Sequence, residues 1–204
     1  FDNMDVNWTH VEQPASRVFL SEEFAAPYDA FVMYDMPGIS FGAGGPTLET
    51  PSEAYKTAFT SLLDKGKGMV FLHHAIAGWP TWPEYAEILG GRFLYLADEL
   101  RGLPCPDSGY RHKVKHNISV TQTHPITSGL PTTFQMTDEL YLFEVFTDSI
   151  QPLLNSDYAF TRDNFYSATK AVRDGQMFNN DSWAHADGSN HVGWVKSYGN
   201  SPIA

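Results

Sequence analysis

Gly66-Lys67-Gly68-Met69-Val70-Phe71-Leu72-His73-His74-Ala75 is the stretch on which the fold turns. Two glycines lead into an apolar run, Met69 to Leu72, that has no polar alternation. Such a run is expected of a β-strand buried on both faces between helices. In open α/β sheets, ligands bind beyond the carboxyl ends of the strands. His73 and His74 stand at such an end, so the segment that predicts a parallel sheet also nominates a site.

Working upstream, Thr50-Pro51-Ser52-Glu53 opens a helix, with Thr50 or Ser52 as its cap and proline tolerated in the first turn. Tyr55, Phe59, Leu62 and Leu63 recur at helical spacing through Asp64. Ile39 to Pro46 reads as a glycine-rich loop. Its Gly42-Ala43-Gly44-Gly45 lacks the spacing of a phosphate-binding fingerprint. Tyr28 to Tyr34 is a strand ended by Asp35-Met36-Pro37-Gly38. Ser21 to Ala26 suits a short helical turn, and the weak alternation of Val6 to Val11 suggests a further strand.

Downstream, Trp82 to Leu89 is a second helix closed by Gly90-Gly91, and Arg101 to Tyr110 is a Pro/Gly loop. His112 to Thr121 is a strand with Val114, His116, Ile118 and Val120 on one face. His124 to Pro131 is turn chemistry. Val192 to Lys196 is a late strand followed by a turn at Tyr198-Gly199-Asn200. Alternating strands and helices predict one α/β domain over residues 1–204: a flavodoxin-like parallel sheet flanked by helices, with short additional antiparallel strands in the middle section.

Composition narrows the function. The formal net charge of −11 offers no basic patch for nucleic acid or for an anionic membrane surface, and no apolar run reaches the length of a membrane span. A soluble cytoplasmic protein with a small-molecule ligand follows as the expectation. The single Cys105 excludes an internal disulfide, and its Pro-Cys-Pro context is not one that activates a thiol. Aromatic residues make up 14% of the chain, enough for rings to line a cleft as well as a core.

The candidate catalytic residues are His73, His74 and Glu139, the last in Asp138-Glu139-Leu140-Tyr141. Imidazole is both the commonest metal ligand and an acid/base suited to neutral pH. His73 and Glu139 would supply two of the three protein ligands that a catalytic zinc requires. His112, His116, His185 and His191 compete for the third place. On a strand, His112 and His116 share a face about 13 Å apart, too far for one ion. Trp79, Tyr198 and Asn200 are candidates to shape the cleft, with Asp35 after its strand and Tyr110 and Arg111 bordering a lid-like loop. His124 reads as a turn residue.

Tyr28 to Asp35, Gly66 to Ala75, Leu89-Gly90-Gly91-Arg92-Phe93, His124 to Pro131 and Asp138 to Tyr141 occur in this order. Together they resemble the ThuA-like family, the trehalose-utilisation proteins with a class I glutamine amidotransferase-like fold. The resemblance runs from about Trp8 to Ile203. It implies bacterial proteins of sugar catabolism that act on oxidised sugars such as 3-keto-glycosides, with a divalent metal such as zinc in some members. The chain departs from the amidotransferases where they keep a cysteine nucleophile: His74-Ala75-Ile76 stands there, so glutamine hydrolysis is excluded. It also departs at both ends, where the family's first strand and last helix would lie. The termini therefore look truncated, and unpaired edges predict a homo-oligomer.

The leading expectation is hydrolysis or isomerisation of a glycoside or keto-sugar. Two alternatives stand beside it. One is a binding or scaffold domain that has lost amidotransferase chemistry. The other is a lactonase or esterase working through a metal-activated water, because no Gly-x-Ser-x-Gly elbow is present.

Overall fold

The computed structural model describes residues 3–42 and 44–204; Ala43 of the glycine cluster lies outside the described residues. Strands β1 (Ala30–Met33) and β4 (Gly68–Phe71) run parallel and are joined through the hairpin β2 (Ile39–Gly42) and β3 (Gly45–Leu48) and helix α3 (Glu53–Asp64). Two single-turn helices, α1 (Ser16–Phe19) and α2 (Glu22–Ala25), precede them. Helix α4 (Pro83–Leu89) leads to β5 (Gly91–Arg92) and the hairpin β6 (Asp98–Leu100) and β7 (Leu103–Cys105). The long strands β8 (Gly109–Val120) and β9 (Thr133–Leu142) pair antiparallel, followed by β10 (Glu144–Val145), β11 (Gln151–Ser156) and β12 (Tyr166–Ser167). Helix α5 (Ala168–Val172), β13 (His191–Tyr198) and β14 (Ser201–Ile203) complete the chain.

The main sheet runs β1-β4-β14-β13-β11-β8-β12, with β9 also on β8. β14 pairs parallel with β4 and antiparallel with β13, so one sheet passes from a parallel part to an antiparallel extension. This is the predicted α/β flavodoxin-like arrangement with added antiparallel strands.

Local chemistry sets the element ends. Ser52 caps α3 by accepting from the Tyr55 backbone N–H at 3.2 Å, and Pro83 takes the first turn of α4. α3 buries Phe59, Leu62 and Leu63 beside Met69 of β4, Ile203 of β14 and Trp82, Tyr85 and Ile88 of the α4 segment. A second core under the antiparallel part holds Val114, Leu140, Leu142, Phe165 and Trp183. Among the described residues no helix is long and apolar enough to cross a membrane.

Several sequence expectations need correction. β4 is not buried on both faces: Met69 is covered by the helices, whereas Leu72 just beyond it and Val32 of β1 are 45% and 46% exposed. The helices α3 and α4 pack on the Met69 face of these strands, and Val70 on the other face lines a cavity with Ile126 and Ile150. Val6 to Val11 forms no strand. The Ile39 to Pro46 and Arg101 to Tyr110 segments are not loops but hairpins, the second running on into β8. Short two-stranded ladders need no apolar periodicity, so glycine and proline content masked them.

Gly90 ends α4 at φ +87, and a Cβ there would stand 2.5 Å from Ile150 Cγ2. Gly90→Ala should therefore lower the unfolding free energy by about 2 kcal/mol through left-handed backbone strain and overpacking. The check is a lower urea midpoint at unchanged slope; a wild-type midpoint would contradict this turn.

Candidate active site

The histidine pair is set by the end of β4. After Leu72 bonds to the carbonyl of Met33, His73–Ala77 turn into a 3-10 helix, and His73 takes the left-handed backbone at φ +48. Non-glycine residues in this region are uncommon and concentrate at functional sites. The turn is held from behind. The Phe93 N–H donates to the Ile76 carbonyl, and the buried Arg92 guanidinium donates to the carbonyls of Trp79 and Trp82 at 2.9 and 2.8 Å.

β9 supplies the partners. Glu139 and Tyr141 are two residues apart on a strand and so share a face. The Tyr141 hydroxyl donates to Glu139 Oε2 at 2.7 Å, and its oxygen lies 3.0 Å from His73 Nε2 and 3.3 Å from His74 Nδ1. Glu139 Oε2 is 3.3 Å from His73 Nε2. With the hydroxyl proton committed to Glu139, the imidazoles satisfy the oxygen only as donors, which assigns the protons to His73 Nε2 and His74 Nδ1. His73 Nδ1 and His74 Nε2 are left as acceptors, and neither is a buried orphan.

A β-bulge brings in a third histidine. Arg111 pairs with Leu140 and Val114 with Asp138, so His112 and Lys113 together oppose Glu139. Lys113 absorbs the irregularity at φ +55. Strict alternation from Val114 would put Tyr110 and His112 on the Leu140 face; the extra residue turns them to the face of Glu139 and Tyr141. His112 Nδ1 then lies 3.1 Å from Glu139 Oε1. The carboxylate thus stands between His73 on one oxygen and His112 on the other.

Electrostatics follow from these contacts. Burial alone would raise the Glu139 carboxyl, but hydrogen bonds from His73 and Tyr141 and the nearby His112 outweigh it and hold it below its ordinary value. Burial, then the Glu139 carboxylate, drives Tyr141 far above the ordinary phenol range, so it stays a proton donor. Burial and then His73 lower His74, which outweighs Glu139 and Asp138 and favours its neutral form.

Sequence reading thus brought together His73, His74 and Glu139, and missed Tyr141 and Tyr34. Strand alternation around Glu139 is the signal that points to Tyr141. The Tyr34 ring stacks on His73 at 6.2 Å and meets His74 edge-on at 5.3 Å. The Tyr110 ring lies 5.2 Å from the His112 ring, and Arg111 sits over Tyr166.

Other candidates lie elsewhere. Trp79 is 1% exposed and donates to the Tyr55 hydroxyl within the core, so it does not wall the cleft. Tyr198 bonds Glu84, and Asn200 donates to the Asp64 carbonyl at the end of α3. Both lie at the start of β4, a full strand length from His73, because the β13–β14 turn faces that end. The Asp35 carboxylate is taken by Gln13. His116 is buried against Ser156, His191 pairs with Asn155, and His185 faces the Ala186 carbonyl. His124 caps its own turn, as read.

The possible zinc site on His73 and Glu139 gains no third ligand among the described residues. His73 and His112 approach different oxygens of Glu139 rather than a common point, and Tyr141 already donates to Oε2. Among the described residues no group of three His, Cys, Asp or Glu side chains is gathered to hold a metal.

The fold and the site can be compared with known proteins. The chain matches the model of the ThuA family, described as trehalose utilisation, over residues 2–191. No curated protein matches the sequence. Among solved structures, a ThuA-like protein from Parabacteroides merdae superposes with a TM-score of 0.55 at 17% identity, covering 87% of this chain and 58% of that one. A ThuA-like protein from Bacteroides uniformis gives 0.51 at 17% identity, covering 92% and 63%. A cytoplasmic protein from Salmonella typhimurium gives 0.50 at 11% identity, covering 92% and 65%. These likenesses are ones of fold, and the chain spans less than two thirds of each relative's length. Matched along nearly its whole length by the family model, the chain belongs to the ThuA family.

Proposed function

We propose that this site carries out acid/base chemistry on a keto-glycoside, with His73 as the base and His112 as the acid. The observation that carries the reading is the Glu139 carboxylate held between the two imidazoles, 3.3 Å from one and 3.1 Å from the other. A carboxylate on one ring nitrogen fixes the tautomer and leaves the other nitrogen for the substrate. His73 Nδ1 takes the proton from the carbon next to the ketone. The electron pair forms a carbon–carbon double bond as the glycosidic C–O bond breaks, and His112, acting as the imidazolium with its Nδ1–H on Glu139, gives its Nε2 proton to the departing oxygen. Water adding back across the double bond completes a net hydrolysis. Tyr141 and His74 keep His73 aligned, the first by accepting from His73 Nε2 while it donates to Glu139, and the second by packing edge-on against its ring. A two-carboxylate glycosidase mechanism has less support. Asp138, the adjacent acid, is exposed, and strand alternation sends it to the other face of β9. The sugar is the family's contribution to this reading, through its description as trehalose utilisation.

His73→Ala should abolish turnover of a 3-keto-glucoside, by roughly 100-fold or more, with its circular dichroism spectrum unchanged. Wild-type-like turnover would sink the assignment. His112→Ala should cost far more turnover with a methanol leaving group than with a nitrophenolate, which departs without protonation. Equal losses would remove His112 as the acid.

Glu139 also links stability to pH. Its carboxyl is depressed in the folded protein, so it adds stability above the ordinary glutamate value of about 4.3, lost as pH falls through the folded value. Urea unfolding should show Glu139→Gln less stable than wild type at neutral pH, with the gap shrinking in this acid range. A gap independent of pH would contradict the hydrogen-bonded carboxylate.

A further inference from the structure

Phe178 lies between α5 and β13 and is 57% exposed in the left-handed backbone at φ +59. Both features are unfavourable for a bulky aromatic residue. The conformation is nevertheless held: the Phe178 N–H donates to the Tyr110 hydroxyl at 3.0 Å, and the Met177 sulfur lies 3.8 Å from the same oxygen. The ring stands edge-on to His112 at 5.9 Å and to Tyr166 at 5.6 Å. A ring serving only the core would be turned inward; this one is presented to solvent beside the acid. At the other end of the carboxylate, Tyr34 is 59% exposed and stacks on His73. The order across the site is therefore Tyr34, His73, Glu139, His112, Phe178.

We infer that Phe178 is a specificity-determining residue, a platform for a ring-bearing leaving group at the His112 end, while Tyr34 receives the sugar that loses its proton at His73. The inference rests on the keto-glycoside reading and deepens it: the preferred substrate is a glycoside whose leaving group is itself a ring with an apolar face. Ring faces stack offset or edge-on, and such pairs add to affinity beyond the area they bury.

The test is calorimetric binding of three unoxidised, unreactive probes: methyl α-D-glucoside, 4-nitrophenyl α-D-glucoside and trehalose. The two ring-bearing probes separate an aryl leaving group from a second sugar. At least one of them should bind about tenfold tighter than the methyl glucoside. Phe178→Ala should bring that ratio to within about threefold, and Phe178→Tyr should retain it. A preference that survives in Phe178→Ala, or methyl glucoside binding with no ring preference in the wild type, overturns the subsite alone. Failure of all three probes to bind overturns the sugar reading and the subsite together.

Discussion

A carboxylate withdrawn from water must be given donors, and much of the site can be understood as the means of supplying them to Glu139. Tyr141 donates to one oxygen, His73 approaches the same oxygen, and His112 approaches the other. Each donor comes from a different place: the same strand, the end of β4, and a bulge in β8. Removing any one would leave a half-buried charge short of a partner, which costs more than the lost bond itself. The requirement ties the parallel part of the sheet to its antiparallel extension across the site.

The bulge in β8 is what makes the arrangement possible. Val114, His116 and Ile118 keep the core face by ordinary alternation, and the ladder resumes at Arg111 after one extra residue. A one-residue shift exchanges the faces of all that follow, so Tyr110 and His112 reach Glu139 without disturbing the core below. Tyr110 then serves a second purpose, because its hydroxyl holds the backbone of Phe178. On the β4 side, the backbone turn at His73 and the Arg92 clasp on the following loop have the same effect, fixing the imidazoles where the strand stops.

The fold was largely legible wherever burial imposed a period. α3, α4, β4 and β8 follow from apolar spacing, caps and glycine stops. The hairpins β2–β3 and β6–β7 were not, because their strands are short and carry glycine or proline. Of the site, His73 and His74 follow from a strand end, and Glu139 stood out as a carboxylate. His112 stood out only as one of four histidines competing for a third place, for a definite reason: strict alternation assigns it to the face of His116, and no local signal marks the bulge. Trp79 misled because proximity in sequence to His74 says nothing of direction, and the left-handed backbone at φ +44 goes with an indole turned into the core. Tyr198 and Asn200 misled because a hairpin turn can face either end of its neighbouring strand, and this one faces the start of β4.

The account stands or falls on which nitrogens carry protons around Glu139. Long-range proton–nitrogen correlation of the imidazoles at neutral pH reads this directly. The predicted result is a His73 protonated at Nε2 and a His112 protonated at Nδ1, with both spectra changed in Glu139→Gln. A His73 protonated at Nδ1 alone, or imidazole spectra indifferent to Glu139→Gln, would contradict the bridging carboxylate and the chemistry built on it.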